Sequence, residues 1–358
     1  MSAALDPDVV RRLLVVRLDN LGDLVLVTPL LRALRAALPE AAITLLASPA
    51  GAQLGPLLPW VDDVRAVRAL WQDAGGRLPF DPARERALIE RIAAGAHDAA
   101  VLSTSFSQSP HPPAYACYLA GIPVRAGLAA DFAGGLLSHA VPAPPAGTHQ
   151  AERALALAEG LGVPVRDRHL ALAVPEDAAA GAARLLAGRG VTGPYAVAAP
   201  GASCPSRRYD PDRFAAVVEG LAQDLPVVVV GGSGERDLAA QVAGDAGTAV
   251  AGATSVPELA AMVAGAAMVV TNNSGPLHLA DALRRPTVAL FAGTERESEY
   301  APRTAPLRLL RRPTACTPCR AFTCPYAMEC LDLDPADVLA AARDLLAEGS
   351  PACARSAS

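Results

Sequence analysis

The sequence predicts an α/β protein with two domains, each built on a parallel β-sheet. Short runs rich in Val, Leu and Ala alternate with longer segments rich in Ala, Leu and Arg, which is the pattern of βαβ units. The length of 358 residues exceeds what one hydrophobic core usually serves. Hydrophobic residues make up 52% of the chain, enough to form buried layers in two domains.

The first half of the chain contains three apolar runs that we interpret as strands. They are LLVVR, AITLLAS and AAVLS, which begin at Leu13, Ala42 and Ala99. Between the first two runs, four leucines at helical spacing indicate one apolar helix face, formed by Leu30, Leu31, Leu34 and Leu38. The Pro-rich segments SQSPHPPAYACY and AVPAPPAGTHQ are predicted to be loops, and such loops could shape a pocket.

The second half contains four further runs that we interpret as strands, which are YAVAAP, PVVVVGG, AMVVTNN and TVALF. Before them, Pro175 and the two acidic residues after it predict a helix start that follows an extended linker. We therefore predict an N-terminal domain over residues 1–172 and a C-terminal domain over residues 173–334. The segment DPADVLAAARDLLAEG predicts a C-terminal helix within residues 335–358, and this helix and tail could pack back on the N-terminal domain.

The charge balance argues against a nucleic-acid partner. The chain has 36 acidic and 31 basic side chains and a net charge of -5, which gives no general attraction to nucleic acid. No apolar segment reaches the length of about 18 residues that suggests a membrane-spanning helix, so we expect a cytoplasmic protein. Peripheral contact with the inner face of the cell membrane is an alternative, and it would use a surface that carries Arg84, Arg86 and Arg91.

The turns after the strands are where ligands are expected, because parallel sheets bind them at the carboxyl ends of their strands. A P-loop is excluded, since that motif requires a Lys and the chain contains none. The dinucleotide fingerprint is not met in VVVVGGSGERDLA, because Asp237 stands where a glycine should follow Gly232 and Gly234. A standard NAD site is therefore not expected, but a looser anion-binding turn remains open.

Four of the seven cysteines lie close together in the sequence, with the spacing C-x2-C-x4-C-x5-C: Cys316, Cys319, Cys324 and Cys330. Four thiolates could hold a structural zinc ion, and an iron–sulfur cluster is conceivable. The spacing differs from the paired C-x2-C knuckles of zinc ribbons, so free or disulfide-bonded cysteines are the alternative. A metal or redox protein on a Rossmann-like scaffold is therefore one hypothesis for the function.

Four segments together resemble glycosyltransferase family 9, which contains the ADP-heptose:lipopolysaccharide heptosyltransferases. They are VVRLDNLGDLVLVTPLLRALRAALP, APGASCPSRRYDPDRF, VVGGSGERDLA and TNNSGPLHLADALRRPTVALFAGT, in the order and spacing of that family. The resemblance extends from about Leu13 to Leu346. It implies a GT-B fold, in which two Rossmann-like domains with parallel sheets face each other across a cleft. It also implies an acceptor in the N-terminal half, a nucleotide-sugar donor in the C-terminal half, and an inverting transfer that requires no metal cofactor.

The resemblance implies that Asp23 is the catalytic base. An attacking hydroxyl must lose a proton in an inverting transfer, and one carboxylate can accept it. The structural alternative is a helix cap, worth about 1 kcal/mol. Asn20 and Gly22 belong to the acceptor side in this interpretation, whereas Asp19 is expected to form the turn or to be solvated.

The segment PGASCPSRRYDPDRF suits a diphosphate group. Gly201 allows close approach of the backbone, and Ser203, Arg207 and Arg208 offer hydrogen-bond donors. Arg207 matches the basic residue of the family, and its guanidinium could bind phosphate oxygens and stabilise the leaving nucleoside diphosphate in place of a metal. A solvated surface is the alternative for this arginine pair.

The next turns complete the predicted donor site. Gly231 and Gly232 would let a nucleotide pass close to the backbone, and Glu235 could either bind ribose hydroxyls or favour a helix start through the helix dipole. Ser274 and Gly275 would form an amide-lined helix entrance.

Two side chains near that helix entrance leave alternatives open. His278 is either a donor-binding or a packed residue. The family usually has an Asp where this chain has Asn273, which can still hydrogen-bond a hydroxyl. A nucleotide-sugar-binding protein without catalysis is therefore a further hypothesis.

The function predicted from the sequence is an inverting, metal-independent glycosyltransferase. It would move a heptose-like sugar from a nucleotide diphosphate donor, with ADP-heptose as the first donor to test. The acceptor would be a hydroxyl of a cell-envelope glycan or of a lipid-linked saccharide.

Overall fold

The computed structural model describes residues 5–73, 75–105, 108–132 and 134–348. The chain divides into two compact units, Met1–Ala173 and Val174–Ser358. Within the described residues, each unit contains a six-stranded sheet in which all neighbouring strands are parallel. The predicted α/β class with two parallel sheets is confirmed.

The first unit has the strand order β3-β2-β1-β4-β5-β6. Its strands are β1 (Arg12–Arg17), β2 (Ala42–Ala47), β3 (Asp63–Ala66), β4 (Ala99–Leu102), β5 (Val124–Ala129) and β6 (His139–Pro142). Its helices are α1 (Leu21–Val25), α2 (Thr28–Ala37), α3 (Pro82–Ala93), α4 (His111–Leu119) and α5 (Gln150–Gly160).

The second unit repeats this topology with the order β9-β8-β7-β10-β11-β12. Its strands are β7 (Ala196–Ala199), β8 (Val227–Val229), β9 (Thr248–Ala249), β10 (Met268–Asn272), β11 (Thr287–Leu290) and β12 (Leu307–Leu310). Its helices are α6 (Glu176–Gly188), α7 (Pro211–Leu221), α8 (Arg236–Ala243), α9 (Val256–Gly265), α10 (Gly275–Ala282), α11 (Glu297–Tyr300) and α12 (Pro335–Glu348).

Both strand orders have one point at which the chain reverses the direction in which it adds strands. In the first sheet this point lies between β1 and β4, and in the second sheet between β7 and β10. Helices that follow neighbouring strands diverge to opposite faces of the sheet there, which opens a crevice at the carboxyl ends of the strands. The topology therefore indicates one candidate ligand site in each unit.

The sheets are held by apolar burial on both faces, as expected for parallel sheets covered by helices. Strands β4, β7 and β8 are buried at every residue. In the first unit, Leu14 and Leu102 pack with Leu88 and Ile92 of α3. Fully burying an aliphatic side chain of this size contributes about 1.5–3 kcal/mol. These cores hold the strand ends in place.

One predicted loop is wrong, because part of SQSPHPPAYACY forms helix α4. Pro112 and Pro113 lie in the first turn of this helix, where a backbone N–H has no partner within the helix and the fixed φ of Pro fits. In the second Pro-rich segment, residues 140–142 belong to β6 and Gln150 begins α5, with irregular backbone between them.

Helix α12 packs within the second unit. Its buried residues Val338, Ala342 and Leu345 share a core with Phe214 and Leu333. From the sequence alone, this helix and tail could also have packed back on the N-terminal domain. In the described ranges, no helix combines the length and the apolar character that a membrane span requires.

Asp281 anchors the segment that leads into β12. It lies on α10, is 1% exposed, and accepts hydrogen bonds from the backbone N–H groups of Arg303, Thr304 and Ala305 at 2.8–3.0 Å. One buried carboxylate thus satisfies three consecutive backbone donors, which would otherwise be left without an acceptor.

We expect Asp281→Ala to lower the free energy of unfolding by about 2–4 kcal/mol, because it leaves buried N–H groups without an acceptor. Denaturation followed by circular dichroism measures the loss, and hydrogen exchange of the 303–305 amides locates it. Asp245→Ala is the control, since Asp245 is exposed and should change stability by less than about 0.5 kcal/mol. Unchanged protection of those amides would contradict the assigned role.

Candidate functional site

The crevice of the first sheet contains a buried arginine between two carboxylates. Arg17 ends β1, and its side chain is 2% exposed. Its Nε lies 2.8 Å from Asp19 Oδ2, and its Nη2 lies 3.4 Å from Asp23 Oδ1. Arg17 Nη2 also donates to Ser105 Oγ, at 2.9 Å, in the segment after β4. The arginine therefore ties together the two turns that border the crevice.

Asp19 lies at a bend after β1, and its carboxylate is buried rather than solvated. Its side chain is 8% exposed and accepts hydrogen bonds from Gln72, Ser105 and Gln108 in addition to its ion pair with Arg17. These partners are distant in sequence, and they compensate for the cost of burying the carboxylate. Asp19 therefore belongs to the candidate site as the main counter-charge of Arg17.

Asp23 is the third residue of the short helix α1, and its side chain is 18% exposed. Asn20 holds the N-cap position and is exposed, and the structure gives its side chain no capping hydrogen bond. Gly22, next to Asp23, is buried. Because Asn20 stands at the N-cap, the Asp23 carboxylate does not serve as the N-cap of this helix. It is partly exposed at the edge of the sheet, beside Arg17.

A cavity of about 220 Å³ lies beside this network. It is lined by Val16, Leu18, Trp71, Gln72, Ser103, Thr104, Gln108, Ser109, Pro112 and Pro113. Gln72 and Gln108 are also partners of Asp19. An aromatic ring together with amide and hydroxyl groups gives this cavity both an apolar face and hydrogen-bonding positions.

In the second unit, Asn272 holds the turn that follows β7. Its Nδ2 donates to the carbonyl oxygen of Pro200 at 2.7 Å, and its Oδ1 accepts from the N–H of Tyr209 at 3.1 Å. Arg208 stabilises the same turn, since its Nη2 donates to the carbonyl oxygen of Ala202 at 2.9 Å. Asn272 was not selected from the sequence, although an Asn at the end of an apolar run was a signal that could have identified it.

Glu235 lies between the turns that follow β7 and β8. Its Oε2 accepts from the N–H of Gly232 at 2.9 Å, which is a helix-start contact. A Cβ atom at Gly201 would overlap the Glu235 carboxylate, and one at Gly231 would lie 3.1 Å from Glu235 Oε2. The absence of a side chain at Gly201 therefore leaves room for the Glu235 carboxylate, and Ser203 is exposed on the same turn.

Arg207 is the centre of a second charged network. It forms an ion pair with Glu295 Oε1 through Nη2, and its Nε donates to Thr294 Oγ1 at 3.2 Å. Glu295 Oε2 accepts from Asn273 Nδ2 at 3.1 Å, and Asn273 Oδ1 accepts from the N–H of Ala292, also at 3.1 Å. One set of polar contacts thus joins the turns after β7, β10 and β11.

Glu295 was missed by the sequence analysis. It is 6% exposed, and burial raises the pKa of its carboxyl, while the positive charge of Arg207 acts against this rise. No local pattern marks this residue, because its partners Arg207 and Asn273 lie 88 and 22 residues away.

The entrance of α10 has the predicted composition. Ser274 is the N-cap, Gly275 is the first helical residue, and a proline lies in the first turn. The Ser274 side chain makes no capping hydrogen bond within the described residues, so its hydroxyl does not cover the backbone N–H groups at this entrance. His278 is buried, and its ring centroid lies 6.2 Å from that of Tyr300, which agrees with the packed alternative.

The four clustered cysteines are free thiols. Across the described ranges, no group of three or more His, Cys, Asp or Glu side chains is placed to hold a metal ion, so the proposed site of Cys316, Cys319, Cys324 and Cys330 is not found. The backbone of this segment is bonded to the turn after β11 and leaves Cys316 and Cys319 exposed. Burial raises the pKa of the Cys330 thiol.

The cysteine segment instead supports the arginine turn. Ser206 donates through its Oγ to the carbonyl oxygen of Ala321 and through its N–H to that of Phe322. On the other side, the N–H of Cys319 donates to the carbonyl oxygen of Gly293, at 3.1 Å. The segment therefore contacts both the turn that carries Arg207 and the turn after β11. Cys353 lies outside the described residues.

The fold is shared with two solved structures. A family 9 glycosyl transferase of Veillonella parvula has a TM-score of 0.77 and 20% identity, over 94% of this chain and 97% of that chain. ADP-heptose LPS heptosyltransferase II of E. coli has a TM-score of 0.74 and 23% identity, over 94% of this chain and 99% of that chain. These likenesses extend over both units and confirm the GT-B fold class.

A curated relative matches a smaller part of the chain. Lipooligosaccharide heptosyltransferase 2 of Campylobacter jejuni is 31% identical over 157 residues, which are 41% of this chain and 49% of that protein. The chain thus spans about half the length of the curated relative it matches.

The family model of glycosyltransferase family 9 (heptosyltransferase) matches residues 83–329, more than half of the 358 residues. The matched range contains the whole network around Arg207 and Glu295 but begins after Asp23. The chain therefore belongs to glycosyltransferase family 9.

Proposed function

We propose that this protein transfers a heptose-like sugar from a nucleotide diphosphate donor to a saccharide hydroxyl, with inversion and without a metal cofactor. The observation that carries the proposal is the partly exposed Asp23 carboxylate at the crevice of a parallel sheet, next to the buried Arg17. Membership of glycosyltransferase family 9 supports the reaction class.

Asp23 acts as the general base in this proposal. The acceptor hydroxyl gives its proton to the carboxylate while its oxygen attacks the anomeric carbon, and the bond between that carbon and the phosphate oxygen breaks. The bonding electrons leave with the nucleoside diphosphate. Attack from the face opposite the leaving group inverts the anomeric centre, so one carboxylate is sufficient.

Arg17 and Asp19 position that base. Arg17 lies closer to Asp19, at 2.8 Å, than to Asp23, at 3.4 Å, so Asp19 takes the larger share of the positive charge. Arg17 can then orient the Asp23 carboxylate without fully neutralising it.

The cavity in the first unit is the proposed binding place of one sugar ring of the acceptor. Trp71 offers an apolar face to the C–H groups of a sugar, while Gln72, Gln108 and Thr104 offer polar groups to its hydroxyls. Both glutamines also bond Asp19, so a sugar that contacts them would lie next to the network of the base. The acceptor class proposed here is a cell-envelope glycan or a lipid-linked saccharide.

Arg207 and the entrance of α10 form the proposed diphosphate site. A guanidinium remains charged at any working pH and can stabilise the leaving diphosphate, the role that a metal ion plays in other transferases. The N-terminus of α10 adds backbone N–H groups and the positive end of the helix dipole. In this proposal Ser203 is a further hydrogen-bond donor, and Arg208 shapes the turn through its contact with Ala202.

ADP-heptose is the first donor to test, because two similar proteins carry heptosyltransferase names and one of these names includes ADP-heptose. We also propose a cytoplasmic location, with peripheral contact at the inner face of the membrane. That contact would use the exposed side chains of Arg86 and Arg91 on α3, with Arg84 nearby.

A thermal-shift screen against nucleotide sugars tests the donor class, because a ligand that binds the folded state raises its stability. We expect ADP-heptose to raise Tm, and its transfer to an envelope saccharide to continue in the presence of EDTA. Nuclear magnetic resonance of the product reports the anomeric configuration. Retention of configuration, or loss of the transfer activity in EDTA, would refute the proposed mechanism.

We predict that Asp23→Asn lowers the transfer rate by roughly a hundredfold or more, the usual contribution of general base catalysis, while donor binding and stability survive. Steady-state kinetics and thermal unfolding measure these quantities. Asp131→Asn, a change at a largely exposed carboxylate of the same unit, is the matched control and should keep full activity. Near-normal turnover of Asp23→Asn would leave the carboxylate with a structural role alone.

We predict that Arg207→Ala weakens nucleoside diphosphate binding by about 1.5–3 kcal/mol, the range for hydrogen bonds to charged groups. Isothermal titration calorimetry with ADP measures the change. Arg184→Ala removes an exposed arginine of α6 and should leave the affinity unchanged. If both variants bind ADP like the parent protein, Arg207 does not belong to the diphosphate site.

A further inference from the structure

A buried carboxylate next to a proposed anion site requires an explanation. Glu295 is 6% exposed, and its charge opposes the binding of a diphosphate. Burial of a carboxylate is costly unless strong partners compensate for it. Glu295 has such partners, because it forms an ion pair with Arg207 and accepts a hydrogen bond from Asn273.

The contacts of Arg207 show which part of its guanidinium remains available. Its Nε and Nη2 atoms, which form one edge of the planar group, are bonded to Thr294 and Glu295. No described residue accepts a hydrogen bond from Nη1 within normal distance, and the side chain is 24% exposed. Arg207 is therefore held by one edge and presents its Nη1 end to a ligand.

We propose that Glu295 is a positioning residue that holds Arg207 by its Nε–Nη2 edge and, by neutralising part of its charge, limits the affinity for the diphosphate. The identity of the ligand rests on the proposed function. A transferase must release its nucleoside diphosphate after each turnover, and an arginine without a counter-charge would retain that product. Glu295 thus fixes the orientation of Arg207 and keeps the affinity of this site for the diphosphate moderate.

The charged groups around Glu295 are consistent with this role. Arg320, the second arginine that affects Glu295, is itself paired with Glu299 at 2.6 Å. Arg207 therefore provides the direct counter-charge. When a phosphate group approaches the Nη1 end, one guanidinium lies between two anions, and each anion weakens the binding of the other.

The test measures the affinity for inorganic pyrophosphate and for ADP by isothermal titration calorimetry. Glu295→Gln removes the charge and keeps a hydrogen-bonding side chain of similar shape. We expect both ligands to bind roughly three- to fiftyfold more tightly, the effect of one unit charge at about 7 Å for effective dielectric constants of about 80 to 20. A variant that had merely lost structure would bind more weakly, so the direction of the change distinguishes the two roles.

Two comparisons show whether the effect passes through Arg207. In an Arg207→Ala background, the direct repulsion between Glu295 and the ligand remains but the contribution through the shared guanidinium is lost, so Glu295→Gln should give a smaller gain in pyrophosphate affinity than it gives in the parent. Glu297→Gln, two residues further along, makes the same charge change at a 42% exposed side chain that pairs with Arg311, and should leave the affinity unchanged. Glu295→Asp keeps the charge and should bind pyrophosphate within about twofold of the parent.

The inference is overturned if Glu295→Gln binds pyrophosphate with equal or weaker affinity than the parent. It is also overturned if the same gain in affinity appears in Glu297→Gln or in the Arg207→Ala background. If Glu295→Gln does not fold, Glu295→Ala removes the same charge in the same assay. Failure of the proposed function can be distinguished from failure of this inference. In that case Glu295→Gln would still bind pyrophosphate more tightly through Arg207, but the protein would transfer no sugar from any nucleotide sugar. Absence of pyrophosphate and ADP binding in the parent protein would overturn the inference as well.

Discussion

Buried charges at the carboxyl ends of the strands persist in this protein only because each has a partner, and this constraint determines the shape of both candidate sites. Arg17 requires Asp19, and Arg207 has Glu295 beside it. Each pair links segments far apart in sequence, so satisfying the charges also fixes the turns that follow the strands. The apolar cores hold the strands, and the paired charges define the edges at which ligands would bind.

The two units pair the charges at their strand ends in different ways. In the first unit, one arginine is shared by two carboxylates, and Asp23 is the more exposed of the two. In the second unit, one carboxylate, Glu295, is shared by an arginine and an amide, and the arginine is the accessible group. The same strand order thus carries a partly exposed carboxylate in one unit and a partly exposed guanidinium in the other.

Much of the fold could be predicted from the sequence, because apolar runs such as those of β1, β8 and β10 mark buried parallel strands without ambiguity. Helix α4 was missed because its prolines, which usually indicate loops, occupy the first turn of a helix. Strands β3, β5, β6, β9 and β12 were not predicted. The residues of β3 are mostly exposed and those of β12 are partly buried, whereas β5 is buried but contains Arg125 and Gly127, which interrupt its apolar pattern.

The individual motifs located most candidate residues, but they could not show which residues contact each other. Asp19 appeared solvated because its partners Gln72 and Gln108 lie 53 and 89 residues further along. Glu295 carries no local signal, and no short pattern indicates that the Glu235 carboxylate lies against Gly201. Hydrogen bonds between distant segments depend on the tertiary fold, and a single sequence does not encode them in any short pattern.

The cysteine segment has a practical consequence. Its backbone is bonded to the turn after β11 and, through Ser206, to the turn that carries Arg207, while the thiols of Cys316 and Cys319 face solvent. A fluorophore attached to either thiol would thus be linked through these hydrogen bonds to the turn that carries Arg207. No residue of that turn would have to be replaced. The natural sequence thereby provides a labelling position from which ligand arrival could be followed in real time.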